Sequence, residues 1–134
     1  SNVKIGMLVG FQPERAMHWG VGIVRRLTLD GKNKLHVGVR ILSNKVFSVV
    51  LHGLDGMNAD AGYSALLLDS SGDDSGESLM LMKTDTFSIN RSPTMTLGDA
   101  NYLLLPLGLK EKGLDFDLVR YRKMVHDNSG EEAQ

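Results

Sequence analysis

The sequence lacks cysteine and has few prolines and few aromatic residues. Its 134 residues include no Cys, 3 Pro and only 6% Phe, Trp and Tyr together. The absence of cysteine excludes disulfides, thiolate nucleophiles and cysteine-ligated zinc, and it is typical of a reducing compartment such as the cytoplasm. The low aromatic content disfavours a surface built for stacking on nucleic-acid bases.

The chain also lacks a charge excess and a long apolar run. Lys and Arg total 15 against 16 Asp and Glu, a net charge of -1, so no strong overall field attracts it to nucleic acid or an anionic membrane. No apolar stretch approaches the roughly 20 residues of a membrane span, and the start does not resemble a signal peptide. We therefore expect a cytoplasmic domain. Because the chain opens Ser1-Asn2-Val3 without Met, we expect it to be part of a longer protein.

What the sequence does contain is short apolar runs separated by turn residues, with 15 glycines spread along it. This pattern predicts an all-β fold. In residues 35–42, apolar positions alternate with polar or small ones, so we expect the apolar set to face a core. Residues 30–33 predict a hairpin turn that pairs this strand with residues 21–28. The apolar set is Leu35, Val37, Val39 and Ile41, and further strands are predicted at 4–10, 45–52, 63–68, 78–83, 93–97, 102–105 and 115–123.

Three apolar runs, at 65–68, 79–82 and 103–105, do not alternate. A strand that is apolar on both faces must be covered on both faces. We therefore predict a small Greek-key-like β-barrel, closed or nearly closed, whose outer face is also packed and which carries additional strands. The domain is expected to span 3–123, either as one barrel or as two fused barrels at 3–52 and 63–123, followed by a disordered tail at 124–134.

Motifs for metal binding or catalysis are absent. None of the four histidines has the spacing to a second His and a carboxylate that a zinc site requires. The acidic residues at 69–77 do not have the spacing of a calcium loop, with its central glycine and final bidentate glutamate, so a solvated loop is expected. No serine lies in a nucleophile-elbow motif. We therefore predict no metal, no cofactor and no catalytic residue. The histidines are His18, His36, His52 and His126.

The cations form a more informative pattern. Arg25 and Arg26 lie on one predicted strand and Arg40 on its hairpin partner, with His36 and Trp19 nearby. Guanidinium groups suit bidentate contact with phosphate and stacking on bases, so these five residues are the candidate ligand-binding set. Adjacent strand residues point to opposite faces, so Arg25 and Arg26 line one pocket only if a bulge intervenes. The alternative is that the arginines are solvated and pair with acids.

The same hairpin carries a resemblance to a known family. Residues 22–27 (GIVRRL) and, after a turn, residues 36–42 (HVGVRIL) resemble the late hairpin of PilZ domains, bacterial β-barrels associated with cyclic di-GMP signalling. The runs at 65–68, 79–82 and 115–121 are similar to the remainder of that region in proteobacterial proteins with a PilZ-like barrel. The likeness thus covers most of residues 4–123. The matching hairpin residues are Trp19, Gly22, Ile23, Val24, Arg25, Val37, Gly38, Val39, Ile41 and Leu42.

The nucleotide signatures of PilZ domains have no counterpart here. Those signatures are an Arg-x-x-x-Arg segment and an [Asp/Asn]-x-Ser-x-x-Gly segment. Residues 73–78 come nearest the second, but Ser78 stands where glycine is expected. The resemblance therefore implies a PilZ-like barrel in a cyclic di-GMP context but transfers no nucleotide contact to a numbered residue.

The resulting functional expectation is a non-catalytic regulatory or interaction module of a bacterial signalling protein. It would present an apolar face to the upstream region of its own protein or to another chain, a second copy included. The seven methionines favour adaptable contact surfaces. Arg120 and Arg122, two residues apart on one predicted strand, share a face and form a second candidate cationic patch. The alternative function is a nucleic-acid-binding barrel of OB or SH3-like type. That alternative would use Trp19, Arg25, Lys34 and Arg40.

Overall fold

The structure is a computed structural model that describes residues 3–12, 18–54, 61–68 and 76–125. The described residues form nine β-strands and no helix, which confirms the all-β fold. Every predicted strand has a counterpart, and the ends differ by a few residues except at the eighth strand. The strands are β1 (Leu8–Phe11), β2 (Gly20–Leu29), β3 (Leu35–Ser43), β4 (Val46–His52), β5 (Gly62–Leu68), β6 (Glu77–Lys83), β7 (Thr94–Leu97), β8 (Ala100–Lys112) and β9 (Phe116–Val125).

The strands form two antiparallel sheets. The first three make an open sheet in the order β1-β2-β3, and the other six close into a barrel in the order β4-β5-β6-β9-β8-β7. Within the barrel, β7 follows β6 in sequence but pairs with β4, which gives the Greek-key order β7-β4-β5-β6. The chain passes from one sheet to the other at residues 44–45, and the segment 53–61 joins β4 to β5 of the same barrel.

The doubly apolar runs of β5 and β6 are covered on both faces, as predicted. In β5, Ala65 and Leu67 point into the barrel, while Leu66 and Leu68 point outward against the three-stranded sheet. In β6, successive side chains likewise point alternately into the barrel and outward against the sheet. The interior cluster consists of Val49, Leu51, Leu54, Ala65, Leu67, Met80, Met82, Met95, Leu104, Val119 and Tyr121. The layer between sheet and barrel contains Leu8, Val21, Leu42, Val46, Leu66, Leu68, Leu79, Leu81, Phe116 and Leu118.

The expectation that the apolar positions of β3 face a core is wrong. The strand alternates with period two, but Val37 is 42% exposed and Ile41 is 55% exposed. The exposure of these residues follows from the orientation of the hairpin, which places its other face against the barrel. The hairpin contacts the barrel through the face that carries Val21 and Ile23. Arg40 is opposite Ile23 in register, so Arg40 lies on this same face. The apolar side chains of β3 therefore point away from the barrel.

The hairpin turn at 30–33 is confirmed. The Asp30 carboxylate accepts hydrogen bonds from the backbone N–H groups of Lys32 and Lys34 at 2.8 and 3.0 Å, and Asn33 adopts a left-handed backbone conformation with φ of 62°. Asparagine tolerates this conformation better than most residues. The turn is therefore determined by its local sequence.

Several sequence expectations concern residues outside the described ranges. These are the acidic loop up to residue 75, the tail from residue 126 with His126, and most of the segment 53–62. No helix within the described part of the chain is long and apolar enough to cross a membrane.

Candidate functional site

A bulge in β2 determines the geometry of the candidate arginines. The register between β2 and β3 shifts between Val24 and Arg26, so that Val24 is opposite Val39 and Arg26 is opposite Gly38. Such a bulge turns two successive side chains toward the same face. Arg25 and Arg26 consequently share the face of Arg40, which satisfies the condition that the sequence set for a common site.

Two of these arginines bind one carboxylate. The Arg25 Nη2 group donates to Glu111 Oε2, and the Arg40 Nη2 group donates to Glu111 Oε1. Partial burial acts to raise the pKa of Glu111, but the hydrogen bonds from Arg25 and Arg40 outweigh it, so this pKa lies below its ordinary value. These two contacts connect the hairpin to β8. They also neutralise part of the positive charge of Arg25 and Arg40, which a phosphate ligand would need.

Arg26 is the arginine of this group that does not bind Glu111. It makes no ion pair with the described residues, and its Cβ covers Gly38, where an added Cβ would come within 3.1 Å. The glycine therefore leaves room for Arg26 to lie across β3.

His36 lies on the same face but nearer the hairpin tip, where it is opposite Thr28. Its Nε2 atom is 2.9 Å from Asp30 Oδ2. The hydrogen bond with His36 is the largest cause of a lowered Asp30 pKa, followed by the backbone N–H groups of Lys34 and Lys32. His36 thus supports the turn residue.

Trp19 is separate from the arginine cluster. It precedes β2, six residues from Arg25, which along a strand is roughly 20 Å. Its side chain is 55% exposed beside Gly10, and its carbonyl oxygen accepts the Val46 N–H at 3.0 Å. The structure therefore brings together Arg25, Arg26 and Arg40, extends the same face to His36, and leaves Trp19 at the far end of the hairpin.

The second predicted patch does share one face. Arg120 and Arg122 alternate on the outer side of β9 with the buried Val119 and Tyr121. Arg120 donates to Glu77 Oε1 at 2.5 Å. Arg120 thus has a glutamate partner, as Arg25 and Arg40 do.

Sequence reasoning missed both glutamates. Glu111 lies 86 residues from Arg25 and 71 from Arg40, and Glu77 lies 43 from Arg120. No local pattern marks such partners. The signal for Glu111 could only have come from knowing that β8 passes beneath the hairpin.

An apolar groove lies on the outer face of the barrel, at β4 and β5. It encloses about 770 Å3 and adjoins the covering sheet, because Leu66 and Phe116 belong both to its lining and to the layer beneath the sheet. The other outward-facing side chains of its floor are Ser48, Val50 and Ser64. Around them lie Lys83, Thr86, Thr96 and Asp115.

One carboxylate is buried at the end of the barrel. Asp117 Oδ2 accepts the Asp85 N–H at 3.2 Å, and Asp117 Oδ1 lies 3.5 Å from Lys112 Nζ. Lys112 Nζ also contacts Asp85 at 3.2 Å. This group joins the turn after β6 to the end of β8. Among the described residues, no cluster of three or more His, Asp or Glu side chains is placed to hold a metal ion.

Comparison of the chain with known protein families, with curated proteins and with solved structures found no match.

Proposed function

We propose that this domain is a non-catalytic interaction module of a bacterial signalling protein, of PilZ-like type. It docks an apolar surface of another polypeptide, either a further region of its own protein or another chain. A place in cyclic di-GMP signalling in the cytoplasm is part of the proposal and rests on the resemblance of the hairpin at residues 22–42.

The observation that carries the proposal is the apolar outer face of the β2–β3 hairpin, here called the hairpin face. It is free of charged side chains, because the bulge turns Arg25 and Arg26 to the opposite side with Arg40. Exposed apolar patches of this kind are typical of protein contact sites. The hairpin face comprises Leu27, Leu29, Leu35, Val37, Val39 and Ile41, with Leu29 exposed to 68%.

The geometry offers less support for the alternative, a nucleic-acid-binding barrel. Single-strand binding surfaces combine cations with stacking aromatics. Here Glu111 partly neutralises Arg25 and Arg40, and Trp19 lies at the other end of the hairpin. No phosphate contact is assigned to these residues.

Amide NMR of the labelled chain tests the proposal. The probes are cyclic di-GMP, a short single-stranded oligonucleotide, and extended peptides with alternating apolar residues. We expect saturable shifts in β3 with apolar peptides, lost in Val37→Asp and kept in the control Ile89→Asp, which changes an exposed apolar residue elsewhere.

Two outcomes of this titration oppose the proposal. Saturable shifts at Arg25, Arg26 and Arg40 with a nucleotide, together with none from peptides, would make the domain a nucleotide receptor. For the oligonucleotide, such binding would weaken steeply with rising salt, whereas an apolar interface would hardly respond. Peptide shifts that persist in Val37→Asp would place the contact away from the hairpin face.

A further inference from the structure

The groove on the outer face of the barrel has the dimensions of a small-molecule site. Its volume of about 770 Å3 lies within the roughly 300–1,000 Å3 of typical ligand pockets. Its walls are largely apolar, with a few hydroxyl groups and two charges, which is the usual composition of such sites. The groove is separate from the hairpin face.

The charges of the groove indicate which ligand would suit it. Among the described residues that line it, Lys83 is the single cation and Asp115 the single anion. Asp115 Oδ1 accepts the Leu8 N–H at 3.2 Å, which ties this carboxylate to β1. Lys83 forms no ion pair with the described residues, so its ammonium group is available to an anion.

An apolar surface lies directly beside Lys83. Phe116 is opposite Lys83 in the register of β6 and β9, and both side chains point to the outer side of the barrel. Val50 and Leu66 extend the apolar wall across β4 and β5, with Ser64 between them on the floor. A ligand with an apolar body and one anionic group would match both features at once.

We propose that this groove binds an amphipathic organic anion, a small molecule with an aromatic or aliphatic body and one carboxylate or sulfonate. The body packs on Val50, Leu66 and Phe116, and the anionic group accepts from Lys83 Nζ. The hydroxyl group of Ser64 is placed to donate to the same anion. The inference does not depend on the proposed docking at the hairpin face.

The test uses 8-anilinonaphthalene-1-sulfonate as a fluorescent probe, with decanoate as the competitor and decan-1-ol as its uncharged counterpart. We expect saturable binding that decanoate displaces at lower concentration than decan-1-ol. Lys83→Gln should weaken binding about fivefold, the upper range for a partly exposed ion pair. Asp115→Asn, which keeps an acceptor for Leu8, should strengthen binding about twofold because it removes the opposing charge.

Two controls separate the groove from other surfaces. Lys110→Gln removes an exposed cation outside the groove, and Val37→Asp disrupts the hairpin face; both should leave probe affinity unchanged. Amide shifts at Ser64, Lys83 and Phe116 should locate the probe. An affinity that is insensitive to Lys83→Gln, or shifts confined to β3, would overturn the inference, and the latter result would leave the proposed function intact.

Discussion

The side chain of Glu111 connects the barrel to the three-stranded sheet through two hydrogen bonds. It accepts from Arg25 of β2 and Arg40 of β3 while standing on β8. Because all three side chains are partly exposed, we expect Glu111→Gln to cost less than about 1 kcal/mol of unfolding free energy at neutral pH. The stabilisation arises because the pKa of Glu111 is lower in the folded protein than its ordinary value of 4.5. It is therefore fully present above pH 4.5 and is lost as the pH falls through the lowered pKa of the folded state.

Thermal unfolding of wild type and Glu111→Gln between pH 7 and pH 3 measures this contribution. The two melting temperatures should differ at pH 7 and converge toward pH 3. A difference that grows as the pH falls would contradict the role assigned to the carboxylate.

At the scale of elements, a close approach of two strands fixes the β2–β3 hairpin. A Cβ added at Gly22 would lie 2.4 Å from Val39 Cγ1 and 2.9 Å from the Arg40 carbonyl oxygen. We therefore expect Gly22→Ala to destabilise the domain by about 1–3 kcal/mol in urea unfolding. Gly31→Ala is the matched control, since nothing lies within 4 Å of its added Cβ. Equal effects of the two substitutions would show that β2 and β3 pair differently.

Strand positions were largely predictable from local alternation, but strand ends and faces were not. The sequence predicts a short strand at 102–105, whereas β8 runs from Ala100 to Lys112. Pro106 and Gly108 interrupt the apolar pattern, and the strand continues past them through register shifts at 106–108 and 109–111. The first strand is shorter than the predicted 4–10 and begins at Leu8, after Gly6 with a φ of 91°.

Long-range contacts account for the remaining differences. Period two correctly separates Val37 and Val39 from His36 and Arg40, but it does not say which set meets the barrel. That choice depends on β2, whose Val21 and Ile23 are buried. The sequence predicts that Arg25 and Arg26 share a face only if a bulge lies between them. It does not predict the bulge itself, because two adjacent arginines carry no local signal for one.

At the scale of the whole molecule, the outer layer should contribute as much to stability as the barrel interior. Leu81 points outward from β6 and is 1% exposed beneath the three-stranded sheet, while Leu104 is fully buried inside the barrel. We expect Leu81→Ala and Leu104→Ala each to cost about 2–5 kcal/mol in urea unfolding. A loss below about 1 kcal/mol for Leu81→Ala alone would mean that the sheet does not cover the barrel in solution.

The central proposal is that the described strands pack around two apolar cores and that the hairpin face, outside both cores, receives a partner. Urea unfolding of Val37→Asp tests this most directly, because a carboxylate on a solvent-facing strand position costs little, whereas one in a packed core costs several kcal/mol. We expect a loss of about 1 kcal/mol, the difference in strand propensity between valine and aspartate. A loss of several kcal/mol would show that this face already belongs to a core, and would contradict its role as a docking surface.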